Sequence, residues 1–141
     1  MSPTATLRGI YADYLEQVDT LMKDKNPADG LFGLGNAPQN APCHTLFDQQ
    51  VEVFVRQQTD LDAAELTEVV ALLLRAEKDH PAPDCAAWMM IAAQRHSLAL
   101  IPRIPREAAA ELLKWYTAAY PVFRRLPVQK EVIRQLRKRA Q

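Results

Sequence analysis

Residues 85–101, CAAWMMIAAQRHSLALI, decide the fold of this chain. The apolar side chains of this stretch cover a wide arc of a helical wheel: Trp88, Met89, Ile91, Ala92, Leu98 and Ile101. A helix that is apolar around so much of its circumference is buried on most sides. The stretch therefore predicts a central helix. A break at residues 80–83, His-Pro-Ala-Pro, precedes it, and Asp84 is the expected N-cap.

Helical periodicity also dominates on both sides of this stretch. Apolar residues recur at three- and four-residue steps in five further segments, which we predict to be helices: 4–25, 42–58, 62–79, 105–120 and 127–140. The link between the second and third of these is short, which predicts antiparallel neighbours. No segment shows the period-two alternation of a half-buried strand. We predict an all-α protein, a compact bundle of about five or six helices that forms a single domain over residues 1–141.

Residues 26–44, NPADGLFGLGNAPQNAPCH, interrupt this pattern and hold three of the four glycines. They predict a long ordered loop over 26–42, between the first two helices. Leu31, Phe32 and Leu34 are expected to plug the bundle. Alternatively, Phe32 and Leu34 contact a partner, because exposed apolar side chains mark interaction sites. Nucleotide binding by the loop is excluded, since no Gly-Lys-Ser/Thr ending follows the glycines.

Cys43 and His44 stand where this loop meets the second helix. The unpaired N–H groups at a helix start stabilise a thiolate, so we expect the pKa of Cys43 to be lowered. Asp48 lies one helical turn after His44 and can orient its imidazole. These three residues form a candidate catalytic set of nucleophile, base and orienting group. Adjacent side chains on a helix diverge by about 100°, so Cys43 and His44 would not face the same point. In the competing interpretation Cys43 is a small buried hydrophobe.

The second cysteine, Cys85, follows His80 by five residues at another predicted helix start. If the two helix starts converge, Cys43, His44, His80 and Cys85 could bind zinc. Neither half has the short Cys-Cys or His-His spacing of familiar zinc sites. We therefore predict no metal and no cofactor, with zinc as the alternative. A Cys43–Cys85 disulfide is possible by count but is disfavoured in a reducing compartment.

Charge is distributed unevenly in a chain whose formal net charge is zero. Residues 1–113 hold 9 basic and 16 acidic side chains, a net charge of −7. Residues 114–141 hold 8 basic and 1 acidic, a net charge of +7. The last predicted helix is amphipathic, with Arg134, Arg137 and Lys138 outside its apolar face. These three are candidate partner-binding residues. The partner is a protein, a second copy of this chain or a nucleic acid. In the alternative interpretation the helix packs by its apolar face and its charged side chains contact only solvent.

Together these features favour a binding protein over an enzyme. The longest strongly apolar run, residues 69–74, is far shorter than the ~20 residues of a membrane span. With no signal-peptide pattern at the N-terminus, we expect a cytoplasmic protein. Our first hypothesis is a small helical protein that acts by protein binding or self-association, as a homodimer. The alternatives are a thiol- or metal-dependent enzyme at Cys43 and His44, and a nucleic-acid-binding regulator that uses the basic C-terminal helix.

Overall fold

The structure is a computed structural model that describes residues 2–23, 41–82 and 84–141. These residues form seven α-helices: α1 (Pro3–Lys23), α2 (Pro42–Arg56), α3 (Ala63–Leu74), α4 (Ala76–Asp79), α5 (Ala86–Ser97), α6 (Arg106–Ala119) and α7 (Pro127–Ala140). Two 3-10 turns lie at Ile101–Arg103 and Val122–Arg124. The described residues contain no β-strand, which confirms the predicted all-α class. Apart from Ala41 and Pro42, the predicted loop at 26–42, with Phe32 and Leu34, lies outside the described residues.

Helix α5 is central, as its wide apolar arc predicts. It packs against α2, α3, α4 and α7. Met89 and Ala93 are fully buried in this contact. The expected Asp84 cap is wrong, because Cys85 is the N-cap residue and no side chain caps the helix. The carbonyl of Ala82 instead accepts the N–H groups of Cys85 at 3.2 Å and Ala86 at 2.8 Å, so a backbone turn satisfies the helix start.

The predicted helix at 62–79 is divided at Arg75 into α3 and α4. The backbone of Arg75 leaves the helical region at φ −97° and ψ 4°. The Asp62 cap is confirmed, since its Oδ1 accepts the Glu65 N–H at 2.8 Å. Helices α2 and α3, which we expected to be antiparallel neighbours, both pack mainly on α1 and α5.

Helices α6 and α7 pack against each other and complete the described part of the fold. Tyr116 on α6 and Val132 and Leu136 on α7 are fully buried at the core. The 3-10 turn at Val122–Arg124 joins the two helices. In the part of the chain that the structure describes, no helix combines the length and apolar character needed to cross a bilayer.

Candidate functional site

Cys43 lies in the first turn of α2 and is buried. Burial raises the pKa of the Cys43 thiol and outweighs the backbone hydrogen bonds at the helix start, which act to lower it. The expectation of a lowered pKa is therefore wrong. Cys85 is also buried, and desolvation, with the charges of Asp84 and Cys43, raises its pKa to about 11. Both thiols are free.

His44 and Asp48 are held by different neighbours. His44 Nδ1 lies 2.7 Å from the Tyr14 hydroxyl, and its ring stacks on Trp88 with centroids 4.6 Å apart. The Asp48 carboxylate accepts a hydrogen bond from His96 Nε2 at 2.9 Å and also pairs with Arg95. Asp48 thus orients His96, an imidazole that the sequence analysis left out. The catalytic set of Cys43, His44 and Asp48 stays a prediction, without the activated thiol on which it depended.

The zinc alternative draws on histidines that have aromatic neighbours in the fold. The His80 ring packs edge-on against Tyr11, with centroids 5.7 Å apart, and His44 contacts Tyr14 and Trp88. Among the described residues, no three His, Cys, Asp or Glu side chains are arranged to hold a metal ion. The geometry therefore adds no support to zinc binding.

The basic C-terminal helix has the predicted amphipathic arrangement. Its apolar residues Val132, Ile133 and Leu136 are buried, while the candidate partner-binding residues Arg134, Arg137 and Lys138 are exposed. Arg134 forms an ion pair with Glu131 at 2.5 Å. Hydrogen bonds from Arg134 and Gln135 lower the pKa of Glu131 to about 2. The helix thus presents an ordered basic surface.

Among the described residues, the two most exposed large apolar side chains, Phe123 and Val122, lie in a segment that the sequence analysis did not select. This segment, residues 121–126 between α6 and α7, is called here the 121–126 turn. Phe123 is 95% exposed, Val122 is 70% exposed and Leu126 is 40% exposed. Isolated exposed apolar residues are ordinary, whereas clusters of them are typical of interaction surfaces. The available signal was Val-Phe and Leu between two prolines, in a stretch without helical periodicity.

A cavity of about 620 Å³ opens beside this turn. Met90, Tyr120 and Gln129 contribute to its wall, Phe123 and Leu126 border it on the turn, and Lys78 lies at its edge. We call it the α6–α7 cavity. Such a volume is within the range of pockets that accept large ligand groups, so it has room for an aromatic side chain. The Lys78 ammonium lies 4.8 Å from the centre of the Tyr120 ring.

A buried hydrogen-bond network holds this wall in place. Tyr116 donates to Gln94 Oε1 at 2.6 Å, and Gln94 Nε2 donates to the Tyr120 hydroxyl at 3.2 Å and to the Leu74 carbonyl at 3.2 Å. Burial, together with the charge of Glu77, raises the pKa of Tyr120, so its hydroxyl stays neutral. The network fixes the ring of Tyr120 where it faces the cavity.

The chemistry of this second site differs from that of the first. An apolar knob, the Phe123 side chain, stands beside an apolar cavity with a fixed wall, and Glu77 and Lys78 at the cavity supply one charge of each sign. This arrangement can bind a complementary surface, and it contains no activated nucleophile. Comparisons of the chain with protein-family models, with curated proteins and with solved structures find no match.

Proposed function

We propose that this protein is a binding module that self-associates, and that its interface is the 121–126 turn together with the α6–α7 cavity. The observation that carries the proposal is the exposure of Phe123, 95%, beside a cavity of about 620 Å³. Leaving a phenylalanine in water forgoes about 1.5–3 kcal/mol of burial free energy. A partner that covers the ring recovers it.

A second copy of the chain is the partner that fits this surface. The knob and the cavity lie side by side on one patch, so a two-fold axis can place Phe123 of each copy in the cavity of the other. Glu77 and Lys78 lie next to each other at the cavity and can pair with their opposites across such an axis. The chain has a net charge of zero, so two copies do not repel each other strongly.

The expected affinity is modest. At about 1.5–3 kcal/mol for each buried phenylalanine, the two rings of a dimer supply about 3–6 kcal/mol. Lost translational and rotational freedom costs about 4–15 kcal/mol. The two rings alone therefore support weak association at most, and a tighter dimer needs the surrounding side chains to approach the ~800 Å² per partner of a standard interface.

Sedimentation velocity over a wide concentration range tests the proposal. The wild-type protein is expected to show a reversible monomer–dimer equilibrium, and Phe123→Ala is expected to remain monomeric. Val53→Ala is the matched control, because Val53 is an apolar side chain that is 53% exposed on α2, away from the cavity. It should dimerise like the wild type. A wild type that is monomeric at every concentration, or a Phe123→Ala variant that dimerises normally, would overturn the proposal.

Salt separates this interface from a charge-driven one. An apolar contact through Phe123 should persist, or strengthen slightly, at high ionic strength. Contact between the basic C-terminal region of one copy and the acidic remainder of another should weaken as salt screens it. Dissociation at high salt that is insensitive to Phe123→Ala would assign self-association to those charges instead.

A further inference from the structure

Helix α7 presents a straight row of cations that the self-association surface does not use. Lys130, Arg134, Arg137 and Lys138 are spaced i, i+4, i+7 and i+8, which places them on one helical face, and all four are exposed. We call this row the α7 stripe. Arg134 pairs with Glu131. In the described residues, the other three cations form no ion pair.

The α7 stripe is held rigidly. The opposite face of α7, with Val132 and Leu136, is fully buried in the core. Near the end of the helix, Arg139 donates to the carbonyl of Ile104 at 2.5 Å. Arg106 on α6 donates to the backbone oxygen of Gln141 at 2.7 Å. The four cations are therefore held together on a packed helix, so binding a ligand does not require a flexible tail to become ordered.

The stripe is long enough to face several phosphates of a duplex. Eight residues of helix at about 1.5 Å each separate Lys130 from Lys138 by about 12 Å. Duplex DNA carries one phosphate per ~1.7 Å of its axis when both strands are counted, so a row of this length meets a surface of high negative charge. Because the whole chain has zero net charge, the stripe is a local concentration of charge rather than a reflection of a basic protein.

An anionic membrane fits the same helix less well. A helix that lies on a bilayer inserts its apolar face below the headgroups. In α7 that face is occupied by core contacts through Val132, Ile133 and Leu136. The stripe residues are charged and carry no exposed apolar side chain between them to insert. The remaining complement is a polyanion contacted by charge alone.

From this geometry we infer that the α7 stripe binds the phosphodiester backbone of nucleic acid, without reading its sequence. The inference does not depend on self-association, because one α7 supplies the whole row. Affinity should fall steeply with salt, since bound cations release the counterions of the phosphates they neutralise. For four phosphates of duplex DNA, the slope of log K against log salt is expected to be about −3 to −4.

Fluorescence anisotropy with a short labelled DNA duplex, and with an RNA duplex of matching sequence, tests the inference as salt is varied. The triple variant Lys130→Gln, Arg137→Gln and Lys138→Gln should reduce the slope to about −1 and weaken binding at low salt. The matched control is Arg8→Gln, Lys23→Gln and Arg56→Gln. It lowers the net charge equally but removes exposed cations from α1 and α2, and it should keep the wild-type slope.

Each outcome of this experiment counts for or against the inference. Binding to DNA, to RNA or to both with the predicted slope supports contact with the shared backbone and shows which nucleic acid is preferred. Absence of binding to both duplexes at low salt overturns it, as does an equal loss in the control variant. Tighter binding to phosphatidylcholine–phosphatidylserine vesicles than to either duplex also overturns it and assigns the stripe to membranes. Phe123→Ala should keep the wild-type slope, so failure of the dimer and failure of the stripe remain distinguishable.

Discussion

Replacing Gln94 with leucine should destabilise the protein, because Gln94 is the buried amide that holds Tyr120 in the wall of the α6–α7 cavity. Gln94 is fully buried, and its amide serves the Tyr116 hydroxyl, the Tyr120 hydroxyl and the Leu74 carbonyl. Leucine has a similar size, so it leaves little empty space, but it can neither accept nor donate a hydrogen bond. The effect therefore isolates the polar network from packing.

The expected magnitude follows from the partners that are left without a hydrogen bond. Tyr116 is fully buried and Leu74 is fully buried, and each lost partnership of this kind costs about 1–3 kcal/mol. We expect Gln94→Leu to lower the free energy of unfolding by about 2–5 kcal/mol.

A double-mutant cycle with Tyr116→Phe makes the reasoning refutable. Tyr116→Phe alone leaves Gln94 Oε1 without a donor and should cost about 1–3 kcal/mol. In the double variant both the Gln94 amide and the Tyr116 hydroxyl are absent, so neither leaves the other without a partner. The loss of unfolding free energy should therefore be smaller than the sum of the two single-variant losses by about 1–3 kcal/mol. Additivity within about 0.5 kcal/mol would show that the 2.6 Å contact contributes nothing specific.

Urea unfolding followed by far-ultraviolet circular dichroism measures these free energies. The variants are best compared in a Phe123→Ala background, because self-association makes apparent stability depend on protein concentration. Gln49→Leu serves as the control, since Gln49 is exposed on α2. A change there should remain within about 0.5 kcal/mol. In the wild-type background, Gln94→Leu should also weaken dimerisation, because it releases the ring of Tyr120 from its position in the cavity wall.

Three further tests address the helix cap and the thiols. Asp62→Ala should lower the unfolding free energy by about 1 kcal/mol, because it removes the hydrogen bond that caps the Glu65 N–H. Asp60→Ala is the control, since the Asp60 side chain is not the N-cap of α3. Equal effects of the two variants in urea unfolding would refute the cap. Iodoacetamide should alkylate Cys43 and Cys85 slowly at neutral pH and rapidly in urea, as mass spectrometry can follow; fast native modification of Cys43 would restore the nucleophile hypothesis. Stability should fall as pH rises from about 9 to about 11, because the Cys85 thiol stays protonated in the folded state while the unfolded thiol ionises, and Cys85→Ala should reduce that decline in urea unfolding at several pH values.

Features of the fold that depend on local periodicity were predictable from the sequence. The wide apolar arc of residues 85–101 identified the central helix, and Asp62 identified the start of α3. Both signals are local, because each is carried by residues that are near one another in the sequence. The Asp84 cap failed for a comparable local reason. The carbonyl of Ala82 accepts the N–H groups of Cys85 and Ala86, so a backbone turn takes the place of a side-chain cap at the start of α5.

The candidate sites depended on tertiary burial, which periodicity does not encode. A helix start lowers the pKa of a cysteine only where the thiol keeps access to water, and Cys43 lies in the core, where desolvation dominates. Phe47 and Phe123 are the same residue type, yet one is 1% exposed and the other 95% exposed. Only the packing of α6 against α7 decides that the turn between them carries Phe123 outward.

The two proposed surfaces are coupled through α7. The 121–126 turn leads directly into this helix, and Lys130 begins the α7 stripe one residue after Gln129 of the cavity wall. A dimer formed through the cavity would therefore carry two stripes with their N-terminal ends near its axis. On a long duplex the second stripe would bind at a high effective concentration, a gain of up to about 10²–10⁴ in affinity. Phe123→Ala should lose that gain on a long duplex yet match the wild type on a duplex that accommodates one stripe. Equal loss on both lengths would mean that Phe123 itself contacts nucleic acid.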